Sequence, residues 1–235
     1  MGTHSAGCPA PAGLRERKKA ATRQAISDAA TRLFMERGFD AVTMAEVAEA
    51  AEVSVKTIFN YFGSKEDLFL DRDAELRAAL VGAITDRAPG VTITEGLGAL
   101  LTEHRLPDGR GWTALHDPDA LAGFRRFLEV WHASPALQHR VLVWGQQVQR
   151  DLEAAIAAET GRSADDEPVR TMAAMLAAAV QLRHATLSEW VLAGHPPADI
   201  ERSVRAVATE AIGRVARAFP DLDLPRAEVA RAAAG

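Results

Sequence analysis

Residues 43–68 read TMAEVAEAAEVSVKTIFNYFGSKEDL. Thr43, followed three positions later by Glu46, forms a capping box in which the hydroxyl and the carboxylate each meet an otherwise unpaired backbone N–H, so a short helix begins at Met44. Ser54 and Ser64 are further N-caps, opening one helix over about Val55–Tyr61 and another after Ser64, with Gly63 between them. Each such cap contributes about 1 kcal/mol, so these helix ends are set locally and not left to packing. Two short capped helices a few residues apart make a helix-turn-helix.

Upstream, Ile26, Ala29, Ala30, Leu33 and Phe34 recur at helical spacing within 14–37. They form one apolar stripe, and Gly38 is placed to end that helix. Downstream, breakers at Pro89-Gly90, 106–111, Ser134-Pro135, 161–168 and 194–197 divide residues 71–219 into about six longer helices. No stretch alternates with the period of a strand. The expected fold is all-α: an arm over 1–13, a three-helix helix-turn-helix DNA-binding domain over 14–70, a larger helical ligand-binding and dimerisation domain over 71–225, and a tail over 226–235.

The 235-residue chain is 48% hydrophobic and 25% charged, which excludes a disordered or collagen-like polymer. No uncharged apolar run approaches the roughly 20 residues of a membrane helix, and the start carries no secretory leader pattern. A single cysteine, Cys8, cannot form an internal disulfide or a redox pair, so an intracellular, cytoplasmic setting is expected. The net charge of −5 weighs against nucleic acid as a partner, but its distribution does not. All four lysines fall within the first 65 residues, and Arg15, Arg17, Lys18, Lys19 and Arg23 crowd beside one acid, Glu16.

The third helix is furnished for contact. Asn60 and Tyr61 are the only asparagine and tyrosine in the chain. Ile58 and Phe62, four apart, face the core, which leaves Val55, Lys56, Phe59 and Asn60 to enter a DNA major groove. Asn reads an adenine edge, Lys a guanine edge, and an apolar side chain a thymine methyl. Thr43, Thr57, Tyr61 and Lys65 are hydroxyl or ammonium donors near helix ends, suited to phosphate oxygens.

Residues 14–70 resemble the N-terminal domain of the TetR (tetracycline repressor) family. The resemblance rests on Ala29-Ala30-x-x-Leu33-Phe34, Gly38-Phe39, Thr43-Met44-x-x-Val47-Ala48, Val53-Ser54, and the run from Thr57 through Tyr61 to Lys65-x-x-Leu68. It departs from the family at Glu52, where glycine is usual, and at Phe59, where tyrosine is frequent. The resemblance implies a homodimeric transcriptional regulator, usually a repressor, that holds a double-stranded DNA operator and is released by a small-molecule effector. The same residues are implied as phosphate and base contacts.

A dimer also suits the physics, since one short recognition helix reads only a few base pairs. Its expected interface joins the helix over 168–193, with Ala173, Ala177 and Ala178, to that over 198–219, whose stripe is Ile200, Val204, Val207, Ala208, Ala211, Ile212, Val215 and Phe219. For the effector, Trp131, Trp144, Gln147, Arg183, His184 and Trp190 supply aromatic walls with a few polar groups. Nucleotide-binding, metalloprotease and hydrolase motifs are absent and the seven histidines show no ligand spacing, so no cofactor, metal or catalytic centre is expected. The alternatives are a DNA-binding scaffold without an effector and an all-α enzyme.

Overall fold

The computed structural model describes residues 13–103 and 112–227. Cys8, nearly all of the expected arm, the break over 106–111 and most of the tail lie outside them. The described residues are helical with turns and no strand, and the chain divides into two compact units, Met1–Asp71 and Arg72–Gly235.

The first unit holds α1 (Leu14–Arg37), α2 (Met44–Ala50), α3 (Val55–Tyr61) and α4 (Lys65–Phe69). The three caps form as their residue types predict. Thr43 Oγ1 accepts from Glu46 N while Thr43 N donates to Glu46 Oε2, and Ser54 and Ser64 accept from Thr57 N and Asp67 N, each at 3.0 Å. Ile26, Ala30, Phe34, Val47, Ile58, Phe62 and Leu68 are buried together. The rings of Phe34, Phe39 and Phe69 meet with centroids 5.2, 5.7 and 5.6 Å apart, joining α1, the loop after it and α4.

The second unit holds α5 (Asp73–Thr85), α6 (Ile93–Glu103), a 3-10 turn (Trp112–His116), α7 (Pro118–Ala133), α8 (Pro135–Thr160), α9 (Glu167–Leu192) and α10 (Pro197–Ala218). A proline stands in the first turn of each of the last four helices, where its missing N–H has no partner to lose. The main core gathers Leu80, Ile84, Leu97, Leu152, Met172, Leu176 and Ala208. A second cluster joins Leu115, Leu128, Leu187, Val191, Ile200 and Val204.

The expected dimer face requires correction here. Ile200, Val204, Ala208, Ile212 and Val215 on α10, and Ala173 and Ala177 on α9, are buried within their own subunit. They complete the unit's cores, and of the three alanines only Ala178 is exposed.

Buried Arg87, at the end of α5, donates to the carbonyls of Ile84 and Val91 and pairs with Glu159 on α8. The segment after α10 folds back onto the same place. Arg226 N donates to Val91 O at 2.9 Å, Arg226 Nη1 to Arg87 O at 2.7 Å, and Asp223 accepts from Thr94 N at 2.8 Å.

Helices α5 and α6 approach so closely that a Cβ on Gly96 would lie 2.2 Å from the Ala83 carbonyl oxygen, whereas one on Gly123 in α7 meets nothing within 4 Å. Gly96→Ala should therefore lower stability by about 1–3 kcal/mol through overpacking. Gly123→Ala should raise it by about 0.5–1 kcal/mol through helix propensity. Urea unfolding of the two variants checks this, and shifts of the same sign would contradict the packing described.

Candidate nucleic-acid interface

Helix α3 has seven residues, and one of them, Ile58, is fully buried. Phe62, which ends the helix, is buried as well, so α3 is pinned by one edge while the rest stands outside. Val55, Lys56, Phe59 and Asn60 are all exposed. Phe59 keeps 50% and Val55 37% of its surface in solvent, unusual for large apolar side chains in a unit this well packed. Thr57 and Tyr61 are half-buried on the flank.

The turn before α3 is held open by Glu52, whose φ of +54° is the one left-handed value of a non-glycine residue among those described. Val53 N then donates to Ala48 O at 2.9 Å, closing the turn. Arg37 at the end of α1 pairs with Glu46 in α2 at 2.6 Å. That bond, with the two from Thr43, holds the Glu46 carboxyl well below the usual carboxylate range, at about 2.

Three of the four expected phosphate donors, Thr43, Thr57 and Lys65, are already engaged within the subunit. The Thr43 hydroxyl directs its proton to Glu46 Oε2 at 2.8 Å, so a phosphate must compete for it. Thr57 Oγ1 lies 2.8 Å from Ser54 Oγ. Lys65 Nζ donates to the Phe39 carbonyl at 2.6 Å and lies 4.2 Å from the Phe39 ring centroid. Partial burial draws its ammonium below the ordinary lysine value. A cation over an aromatic face that also reaches a loop carbonyl fastens α4 to the end of α1, a role that sequence spacing did not reveal.

The six effector candidates do not share one neighbourhood. Trp144 on α8 sits in the main core with its ring 5.9 Å from that of His184 on α9. Arg183 is buried, its Nε donates to Leu101 O at 2.9 Å, and desolvation lowers its guanidinium to about 10. Gln147 accepts from Arg77, which also approaches Asp151, so it belongs to a polar tie between α5 and α8. Trp131 is edge-on to Phe127. Trp190 lies against His195 at 4.2 Å and lines an open groove with Asp199, Arg202 and Ser203.

Reasoning from sequence missed a face of α9. Thr171, Met175, Ala178, Leu182, Ala185, Glu189 and Leu192 alternate in steps of four and three, and every one is exposed. That spacing is the seam of a helix pair, readable in the sequence had α10's denser stripe not drawn attention first.

Short capped helices crossing at a turn, with one helix pinned by its rear edge, define a helix-turn-helix DNA-binding protein. Residues 26–71 match the model for bacterial regulatory proteins of the tetR family, which is the family of the DNA-binding domain in the first unit. It is 28% identical over 157 residues to the HTH-type transcriptional regulator TcmR of Streptomyces glaucescens, covering 66% of this chain and 67% of that protein. It is 29% identical over 135 residues to the HTH-type transcriptional regulator BetI of Rhizobium meliloti, covering 55% and 62%. A crystal structure of NalD, the secondary repressor of the MexAB-OprM multidrug efflux pump in Pseudomonas aeruginosa, aligns with a TM-score of 0.47 at 17% identity, covering 86% of this chain and 96% of that one.

Among the described residues no cluster of three His, Cys, Asp or Glu side chains could hold a metal ion, and no helix is long and apolar enough to cross a membrane. Glu52→Gly should relieve left-handed strain of about 1–2 kcal/mol, offset partly by the greater freedom of glycine in the unfolded chain. The net expectation is a gain of about 0.5–1 kcal/mol in thermal unfolding, and a loss would show that Glu52 makes a contact worth more than its strain.

Proposed function

We propose that the chain is a homodimeric repressor that lays α3 of each copy in successive major grooves of a palindromic operator and is released by a small-molecule effector. The observation that carries the DNA reading is the exposed set on α3: an amide, an ammonium and two apolar side chains on one seven-residue helix. Asn60 and Lys56 supply donors for purine edges, and Val55 and Phe59 supply the apolar surface that a thymine methyl covers. Thr43, Thr57, Tyr61 and Lys65 stand at the surrounding helix ends as phosphate contacts.

Dimerisation uses the exposed seam of α9, centred on Met175 and Leu182, in place of the α10 stripe. Leu182 keeps 51% of its surface in solvent, an apolar side chain that a second copy would cover. Two copies spaced by about 34–36 Å, one turn of the duplex, then read two half-sites.

The effector reading rests on Trp144. Its buried Nε1–H has no acceptor among the described residues, and a buried donor left unmade costs about 1–3 kcal/mol. Desolvation, with the Arg183 guanidinium next in sequence, holds the His184 imidazole at about 3, so it is neutral and able to donate or accept. A largely apolar small molecule bearing an acceptor oxygen meets both rings.

Two experiments test these readings. Duplexes selected from a random library by the full-length protein define its preferred site. Asn60→Ala and Lys56→Ala should each relax preference at particular base pairs by about 1–3 kcal/mol, and Leu182→Glu should give a monomer in sedimentation with weakened duplex binding; equal losses on every duplex would contradict the assignment of α3. In a thermal-shift screen of apolar ketones, lactones and carboxylic acids, some compound should raise the melting temperature and lower duplex affinity together. Trp144→Phe should keep the fold and abolish that response. A protein that responds to none of them would be a scaffold, not a sensor.

A further inference from the structure

Helix α1 runs for 24 residues, yet its first buried side chain is Ile26. The preceding twelve residues, about 18 Å of helix, reach beyond the core of the unit. Eleven residues make three turns, and the stripe inherits the register of the core face at that interval. Arg15 stands three turns before Ile26, Lys18 before Ala29, Lys19 before Ala30 and Thr22 before Leu33. The face that is apolar and buried in the second half of α1 is therefore basic and exposed at Arg15, Lys18 and Lys19 in the first, with half-buried Thr22 between.

The unit's other cations are occupied. Arg32 pairs with Glu36, Arg37 with Glu46, Lys65 with a carbonyl, and Arg23 with Asp71. Among the described residues Arg15, Arg17, Lys18 and Lys19 make no side-chain hydrogen bond or ion pair, a condition they share in this unit only with Lys56 on α3. Arg23 also fixes where the overhang begins, because its guanidinium lies 4.8 Å from the centroid of Phe62, the residue that closes α3. The basic stripe thus starts beside the C-terminal end of the helix assigned above to the major groove.

We propose that Arg15, Lys18 and Lys19 form a second DNA contact, gripping the sugar-phosphate backbone next to the groove that α3 enters. The inference rests on the DNA reading of α3 and extends it. Charge complementarity names the partner. Three unpaired cations on one helical face match the regularly spaced charges of a phosphate chain, and such contacts add affinity without reading sequence. They also explain how a unit of zero net charge, with nine basic and nine acidic residues over 14–70, can bind a polyanion: of the nine acids only Glu16 lies within the stretch that carries the stripe.

The test is the variant carrying Arg15→Ala, Lys18→Ala and Lys19→Ala. Alanine keeps the helix and none of the three side chains is buried, so the melting temperature should not fall. Binding is measured against the selected duplex and a random-sequence duplex, each of about 30 bp, over a range of salt. Affinity for both should fall about tenfold or more, base preference should be unchanged, and the slope of log affinity against log salt should drop by about 2–3, the value for three phosphates. Lysine-to-arginine exchange at 18 and 19 should leave binding intact. If the parent protein prefers its selected duplex and the triple variant matches it in affinity and slope, the backbone contact is overturned and the α3 reading stands. If the parent binds no duplex, both fall. If the variant loses binding to phosphatidylglycerol vesicles and keeps its duplex affinity, the stripe belongs to a membrane surface and the proposal is overturned.

Discussion

A helix of seven residues does not persist in water alone, because its nucleation cost exceeds what so few hydrogen bonds return. Both α2 and α3 are of this length, so the helix-turn-helix exists only because something longer holds it. That support is α1, whose stripe of Ile26, Ala30 and Phe34 buries Val47, Ile58 and Phe62. Caps at Thr43, Ser54 and Ser64 satisfy the helix starts that packing alone would leave open. The strain at Glu52 belongs to the same economy of length: a turn tight enough to bring α3 across α2 needs a left-handed residue, and here an L-residue fills that place.

The first unit was legible in the sequence because its signals are local. A cap needs only four residues to be recognised, and the stripe of α1 needs two turns. The burial of Ile58 and the exposure of Lys56 and Asn60 follow from spacing once the cap at Ser54 sets the register. The second unit was less legible for a physical reason. Periodicity says that a helix has an apolar side but not what covers it. The α10 stripe reads equally as dimer surface or as core, and the structure buries it at home. The α9 seam, diluted by Ala178, Ala185 and Glu189, carries a weaker pattern although it stays in solvent. Aromatic content likewise predicted a pocket lining, but Trp144 falls in the main core and Trp190 against the second cluster, neighbourhoods that only the helix packing could separate. Lys65 shows the same limit at the level of one atom: its type suggests a phosphate, and spacing could not show that its ammonium also lies over Phe39 and ties the loop after α1.

The two units use charge differently. In the first, three arginines pair at short range with Asp71, Glu36 and Glu46, leaving a few cations unpaired on α1 and α3. In the second, charged groups join helices: Arg77 joins α5 to α8, and Arg183 reaches the end of α6 from α9. Desolvated cations there are structural and costly to disturb, whereas the unpaired ones on α1 can be altered without touching a core.

The clamp at Arg87 bears on how the second unit comes apart. Asp223 is hydrogen-bonded to Thr94 at the start of α6 and Arg226 to the loop between α5 and α6, and that loop is in turn tied to α8 through Glu159. Peeling α10 away thus begins by breaking a bolt that also secures α5 to α8, and the helices must release together instead of unzipping one at a time.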